Sequence, residues 1–158
     1  YAPKSKRSPY DGGVRTPIMF RWPGKIKPAE YDTLVSSIDI APTLLAAVGL
    51  KPTKEMQGID LLEVMRQGGK TKRDALFGDI YEHDMVDIDD PASSLKYRWC
   101  VQGDWKAIFP GSRLKEEKVE LYQITTDPFE QNNLVSKNPE KAKQLLKLTN
   151  RWWDADSR

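Results

Sequence analysis

Hydrophobic and polar positions change rhythm about halfway along the chain. In the first half, Ile40, Leu44, Leu45 and Val48 recur at helical spacing, which predicts a helix over Asp39–Val48 with that face turned to a core. Ser36 or Asp39 can cap its start, Pro42 fits because it falls in the first turn, and Gly49 ends it. Leu61 to Arg66 repeats the pattern more weakly and stops at Gly68-Gly69. Upstream, Val14 to Trp22 contains the run Ile18-Met19-Phe20 and is stopped by Pro23-Gly24. That segment predicts a strand buried on both faces.

The second half alternates instead. Leu95, Tyr97, Trp99 and Val101 stand at every other position, the period of a half-buried strand. Gly103-Asp104 turns the chain into a return strand over Trp105–Phe109, and Val119–Ile124 supplies a third antiparallel candidate. Leu76–Tyr81 precedes them as a further strand, separated by the acidic, turn-rich stretch Asp84–Pro91. The closing segment is the clearest helix. Pro139 follows Asn138, and Ala142, Leu145, Leu146, Thr149, Trp152 and Trp153 share one face. The expected arrangement is α/β, with an antiparallel sheet from about residue 76 packed on a helix over 139–153. The charged connector Lys70–Asp74 divides the chain into regions 1–75 and 76–158.

Composition narrows the function classes. Among 158 residues, 25 Lys and Arg stand against 23 Asp and Glu without a basic cluster, so nucleic acid is not an expected partner. One cysteine and one histidine exclude an intrachain disulfide and a self-contained zinc site. No apolar run reaches the ~20 residues of a membrane span, and no membrane partner is expected. Tyr1 opens no signal-peptide pattern, and a chain without an initiating Met is expected to be truncated at its start. Trp99, Trp105, Trp152 and Trp153 permit a noncatalytic interaction or carbohydrate-binding module if their rings are exposed. Helical spacing places the last two in a core instead.

The candidate chemistry begins in the opening loop, where Lys4, Lys6 and Arg7 lie between Pro3 and Pro9 and a turn follows at Asp11-Gly12-Gly13. The segment from Lys6 through Tyr10-Asp11-Gly12-Gly13-Val14-Arg15 to Pro17 resembles the sulfatase signature Lys-x-x-x-Tyr-Glu-Gly-Gly-(Val/Ile)-Arg-x-Pro. Phe20-Arg21-Trp22-Pro23-Gly24-Lys25-Ile26 continues the likeness, and Ser36 to Leu45 is similar to the family's next helix. Gln57-Gly58-Ile59-Asp60, Gly103-Asp104-Trp105-Lys106, Glu120-Leu121-Tyr122 and Asp127-Pro128-Phe129-Glu130-Gln131-Asn132-Asn133-Leu134 follow in the family's order.

This resemblance implies the C-terminal portion of an alkaline-phosphatase-like sulfatase fold: a strand and helices of the large domain, then a small antiparallel sheet and helix. It implies sulfate-ester hydrolysis by the full-length enzyme, acting on a sulfated small molecule or sulfated carbohydrate, with the N-terminal sulfatase domain as partner. A related phosphonate monoester or phosphodiester hydrolase is the neighbouring alternative. The family's nucleophile is a formylglycine made from Cys-x-Pro-x-Arg, and a divalent cation, of the calcium type, polarises the ester. Cys100 stands in Trp99-Cys100-Val101-Gln102-Gly103, which lacks that motif, so it is expected to be a packed strand thiol. The family's metal-ligating Asp-Asn pair falls before Tyr1. The chain alone is therefore expected to be inactive and to bind no cation. Lys6 matches the family lysine that contacts sulfate, and Arg15 is expected to pair with a carboxylate under the loop. His83, in Tyr81-Glu82-His83-Asp84, is a second substrate-binding candidate at the rim of the pocket. A periplasmic, secreted or lysosomal location goes with the family.

Overall fold

An antiparallel sheet in the order β1-β2-β3-β4 dominates the computed structural model, which describes residues 4–155. The strands are β1 (Ala75–Tyr81), β2 (Leu95–Gln102), β3 (Trp105–Pro110) and β4 (Glu120–Gln123). Strands β2 and β3 form the expected hairpin, with Gln102 opposite Trp105 and Cys100 opposite Ala107. Strand β4 continues the sheet, with Lys106 opposite Tyr122 and Ala107 opposite Leu121. Leu95, Cys100, Val101, Ile108, Phe109 and Leu121 are buried as its core, but β2 does not keep the expected alternation: Tyr97 and Trp99 are half-buried, while Arg98 and Cys100 between and beside them are buried.

Helix α4 (Pro139–Trp152) completes this core with Ala142 and Leu145, both buried. Its C-terminal end is tied to β2 by Arg98, whose Nη1 donates to Asn150 Oδ1 (3.0 Å) and to the Trp153 carbonyl (2.7 Å). Trp152 stacks on Phe77 at 5.4 Å with planes 10° apart, and Trp153 leans on Tyr81 at 6.3 Å. The indole of Trp99 lies where a side chain at position 78 would project, a close approach that Gly78 permits. All four of Trp99, Trp105, Trp152 and Trp153 are half-buried. The closing pair is therefore less enclosed than a full core position, yet occupied by ring contacts.

The chain divides into two units, residues 4–15 together with 77–155, and residues 16–76. The opening loop thus groups with the sheet rather than with the helices that follow it in sequence. In the second unit, α2 (Ile40–Ala47) and α3 (Leu62–Gln67) pack around Leu61, Leu62 and Met65, joined by Phe20, Trp22, Ile26, Val35 and Ile59.

Two sequence expectations fail in this unit, each for a physical reason. Residues 15–22 form no strand; no segment of the described chain pairs with them, and an unpaired strand leaves its backbone groups without a ladder. Phe20 and Trp22 instead contribute side chains to the helical core, while Met19 is 87% exposed. The face of α2 is also turned. Pro42 and Thr43 are buried, whereas Ile40, Leu44 and Val48 are exposed.

Polar pins orient α2. Asp39, fully buried, accepts two short hydrogen bonds from Arg73 (2.5 and 2.6 Å), one from Ile59 N–H (2.9 Å) and one from Ser36 N–H (2.7 Å). Ser36 and Asp39 form a capping box around the 3₁₀ turn Ser37–Asp39. Thr43 Oγ1 accepts from Leu61 N–H at 3.1 Å. A buried carboxylate must face its partners, and that requirement overrides the apolar stripe.

Candidate functional site

The opening loop is built around glycines that let backbone approach backbone. A methyl group on Gly12 would meet the Lys4 carbonyl at 2.5 Å, and one on Gly13 would meet the carbonyls of Ser8 and Ser5 at 2.4 and 2.5 Å. The chain therefore folds back on itself at α1 (Asp11–Val14), with Gly13 N–H donating to the Tyr10 carbonyl at 2.7 Å and Ser8 Oγ donating to that of Ser5 at 2.5 Å. These glycines serve a tight fold-back, not entry into a strand.

Both feet of this loop rest on one residue. Lys4 Nζ donates to the Glu130 carbonyl, and Asp11 N–H donates to Glu130 Oε2 at 2.6 Å. Lys106, on β3, rises from the sheet between them. Its ammonium lies 2.6 Å from Asp11 Oδ1 and 2.8 Å from Glu130 Oε1, and its side chain is wholly buried. The Glu130 Oε1 contact is ionic but off the hydrogen-bonding direction, so that buried oxygen has charge compensation without a directed donor. The Trp99 ring centroid lies 5.9 Å from the same ammonium.

Aromatic residues flank the first foot. Lys4 Nζ sits 4.4 Å from the Tyr10 ring centroid and 5.2 Å from that of Tyr122, within range of cation–π attraction. Tyr10 donates its hydroxyl to Glu120, 2.9 and 3.0 Å from the two oxygens, and Tyr122 donates to Glu120 Oε2 at 2.5 Å. Burial, then the hydrogen bond to Glu120 and its negative charge, push both phenols well above their ordinary range.

Backbone strain collects at the same place. Among the described residues, the non-glycine residues with positive φ are Lys4 (58°), Arg7 (70°) and Glu130 (52°). Each left-handed position costs on the order of 1 kcal/mol or more, and such positions persist where surrounding contacts over-determine them. Here those contacts are the Lys106 network and the two bonds to Glu130. Lys6 and Arg7, between the feet, are exposed. A groove of about 440 Å³ borders the loop, lined by Lys4, Ser5 and Gly12 on one side and Pro128, Phe129 and Gln131 on the other.

Residues 4–156 match the family model described as N-sulphoglucosamine sulphohydrolase, C-terminal. The chain belongs to this sulphohydrolase family. Among relatives, a sulfatase of Formosa agariphila is 32% identical over 148 residues, covering 88% of this chain and 26% of that protein. An N-acetylgalactosamine-6-O-sulfatase of Bacteroides thetaiotaomicron is 30% identical over 154 residues, covering 90% of this chain and 28% of that protein. A solved structure in complex with its substrate, D-glucosamine-2-N,6-O-disulfate, aligns with a TM-score of 0.58 at 27% identity, covering 74% of this chain and 23% of that one. The solved structure of Ps i-CgsB shares the fold, with a TM-score of 0.69 at 20% identity over 92% of this chain and 30% of that one. The chain thus spans roughly a quarter of the length of these curated relatives.

The family's characteristic segments converge in this structure. Asp11, from the lysine signature, meets Lys106 of the Gly-Asp-Trp-Lys turn and Glu130 of the Asp-Pro-Phe-Glu turn. Sequence reading attached no role to Lys106 or Glu130. The available signal was a lysine amid the apolar run Ala107-Ile108-Phe109, where an ammonium must find a buried partner. Arg15 pairs with a carboxylate of the loop as expected, Asp11 Oδ2 at 3.8 Å, but with its side chain 75% exposed rather than beneath the loop. His83 lies exposed in the loop after β1 and does not line the groove beside the lysine loop. Cys100 is fully buried on β2. Among the described residues no group of three or more His, Cys, Asp or Glu is arranged to hold a metal ion. The described residues therefore do not by themselves fit a divalent-cation centre. No helix among them is long and apolar enough to cross a membrane.

Proposed function

We propose that this chain is the C-terminal part of a sulfatase polypeptide that hydrolyses sulfate esters, and that Lys6 contacts the sulfate of the substrate. The observation that carries the reading is the anchored lysine loop: its two feet are held by Glu130, and Lys6 is exposed between them. A sulfate ester is anionic, and negative charge grows on the bridging oxygen as the S–O bond breaks. An ammonium placed beforehand beside that oxygen stabilises the developing charge without reorganising. Lys4 serves the loop as an anchor, its ammonium on the Glu130 carbonyl and beside the Tyr10 and Tyr122 rings.

The substrate class we assign is a sulfated carbohydrate or another sulfated small molecule. The names of the relatives support it; the groove of about 440 Å³ beside the loop has a size suited to a small ligand, with Lys4 and Ser5 rather than Lys6 among its lining residues. His83 has no geometric support as a substrate contact beyond its exposed position, and we keep it as a rim candidate only. The nucleophile and the divalent cation of the full-length enzyme are assigned to its N-terminal sulfatase domain. That domain is also the natural cover for the exposed Ile40, Leu44 and Val48 face of α2. The chain alone is then inactive. Trp99, Trp152 and Trp153, packed on Gly78, Phe77 and Tyr81 respectively, weigh against a stacking module.

Steady-state kinetics of the full-length polypeptide test the assignment. Lys6→Ala should lower kcat/KM by about 10²–10³, the usual loss for one preorganised donor. Lys6→Arg should recover little, because a planar guanidinium does not replace a compact ammonium. Activity of Lys6→Ala close to wild type would show that another group meets the sulfate.

A further inference from the structure

The geometry points to Glu130 as the residue that positions Lys6, by holding both ends of the loop that carries it. This inference rests on the proposed sulfate contact of Lys6 and adds a residue 124 positions away from it in sequence. Glu130 uses its backbone and its side chain for separate tasks. Its carbonyl accepts the Lys4 ammonium, two residues before Lys6, and its Oε2 accepts the Asp11 N–H, five residues after. Its remaining oxygen faces the Lys106 ammonium, which also holds Asp11 Oδ1.

A residue that only stabilised the sheet would not need this arrangement. Glu130 is 1% exposed, yet it adopts φ 52°, a conformation uncommon outside glycine. That conformation presents its carbonyl to Lys4 while its carboxylate reaches Asp11. The other non-glycine residues of positive φ among those described, Lys4 and Arg7, flank Lys6 within two residues. Strain is thus confined to the loop and its anchor, the pattern of a segment held in one conformation by its surroundings. Lys4 cannot leave its foot without giving up a charge-assisted hydrogen bond and the faces of Tyr10 and Tyr122. Asp11 cannot leave without uncovering a buried ammonium. The span between the feet is short, so fixing both limits where the Lys6 backbone can stand. Misplacement of a contacting group by about 1 Å is enough to cost on the order of a hundredfold in rate.

A double-mutant cycle in the full-length sulfatase polypeptide separates positioning from folding. Glu130→Ala, which removes the acceptor of the Asp11 N–H, and Lys4→Met, which removes the other foot, are each made with Lys6 present and with Lys6→Ala. kcat and KM are measured on 4-nitrophenyl sulfate and on sulfated monosaccharides, and Tm is measured alongside. Each variant is expected to lower kcat/KM about tenfold when Lys6 is present, with kcat carrying most of the loss. In the Lys6→Ala background the same substitutions should cost less than about twofold, because the group they position is gone. Tm should shift equally in both backgrounds. Equal kinetic losses in the two backgrounds, or no loss with Lys6 present, would overturn the positioning role while leaving Lys6 in place. A Lys6→Ala enzyme of wild-type activity would instead remove the sulfate contact, and the inference with it. Lys4→Met acts on a half-buried side chain and keeps the cycle readable if Glu130→Ala does not accumulate folded.

Discussion

Replacing Lys106 by Met probes the buried network most directly. Met matches the length of the lysine stem and retains its contacts inside the sheet, so the main loss is the ammonium. Two carboxylates then face each other without a cation: Asp11, whose side chain is 14% exposed, and Glu130, at 2%. Breaking a buried charge pair by removing one partner costs about 3–5 kcal/mol. Partial access of water to Asp11 favours the lower end. For a chain of this size that corresponds to a fall in Tm of roughly 6–20 °C. The companion variant carries Asp11→Asn, Lys106→Met and Glu130→Gln together. It leaves no net charge in the network, and neutral replacement of buried ionic groups is often close to neutral for stability. Thermal melts followed by circular dichroism, with urea titrations as a check, should therefore show a large loss in the single variant and substantial recovery in the triple. A single variant within about 1 kcal/mol of wild type, on the scale of an exposed pair, would refute the reasoning. So would a triple variant less stable than the single.

Three further expectations follow from the electrostatics. Burial alone would raise Asp39, but the Arg73 guanidinium and the Ile59 and Ser36 N–H groups hold its carboxyl below the usual carboxylate range. Its contribution is therefore present above an unfolded pKa of about 3.9 and is lost as pH falls through the lower folded value; Asp39→Asn should flatten the urea midpoint below about pH 4, and an unchanged acid slope would count against it. Burial, followed by hydrogen bonds to Glu120 and Glu117, raises Tyr10, Tyr122 and Tyr97, while burial and Asp79 push Tyr81 up to about 12. With the folded pKa raised, their stabilisation is present below about pH 10 and lost above it, so absorbance at 295 nm should show phenols resisting ionisation past that point, and Glu120→Gln should release Tyr10 and Tyr122 earlier. Finally, calorimetry with calcium on the 158-residue chain should show no saturable site tighter than millimolar, since no ligand cluster exists among the described residues; a stoichiometric micromolar site would contradict the assignment of the cation to the rest of the enzyme.

Local pattern and long-range chemistry were unequally visible in the amino-acid sequence. Helix α4 was legible because a helix face imposes its period on nearby residues, and the β2–β3 hairpin because Gly103-Asp104 separates two strand-forming segments. The α2 face was not, because Asp39 answers to Arg73 and Ile59, 34 and 20 residues away, and periodicity carries no information about such partners. Residues 15–22 carried a strand's composition, but a strand is completed only by a neighbour, and none of the described segments supplies one.

The site shows the same division. The proposal for Lys6 rests on its spacing from Tyr10, and that spacing says nothing about what holds the loop. Its anchors lie far along the chain: Lys106 is 95 residues from Asp11, and Glu130 is 119 from it. Each sits in a short turn motif that, read alone, explains only a change of chain direction. Together they explain why an acidic residue follows Tyr10. That residue supplies the carboxylate for a buried ammonium, and its backbone N–H meets the second carboxylate. Aspartate at position 11, where the family signature has glutamate, still reaches Lys106 at 2.6 Å. The shorter side chain therefore keeps the contact, and what must persist is the charge at that position rather than the length that carries it.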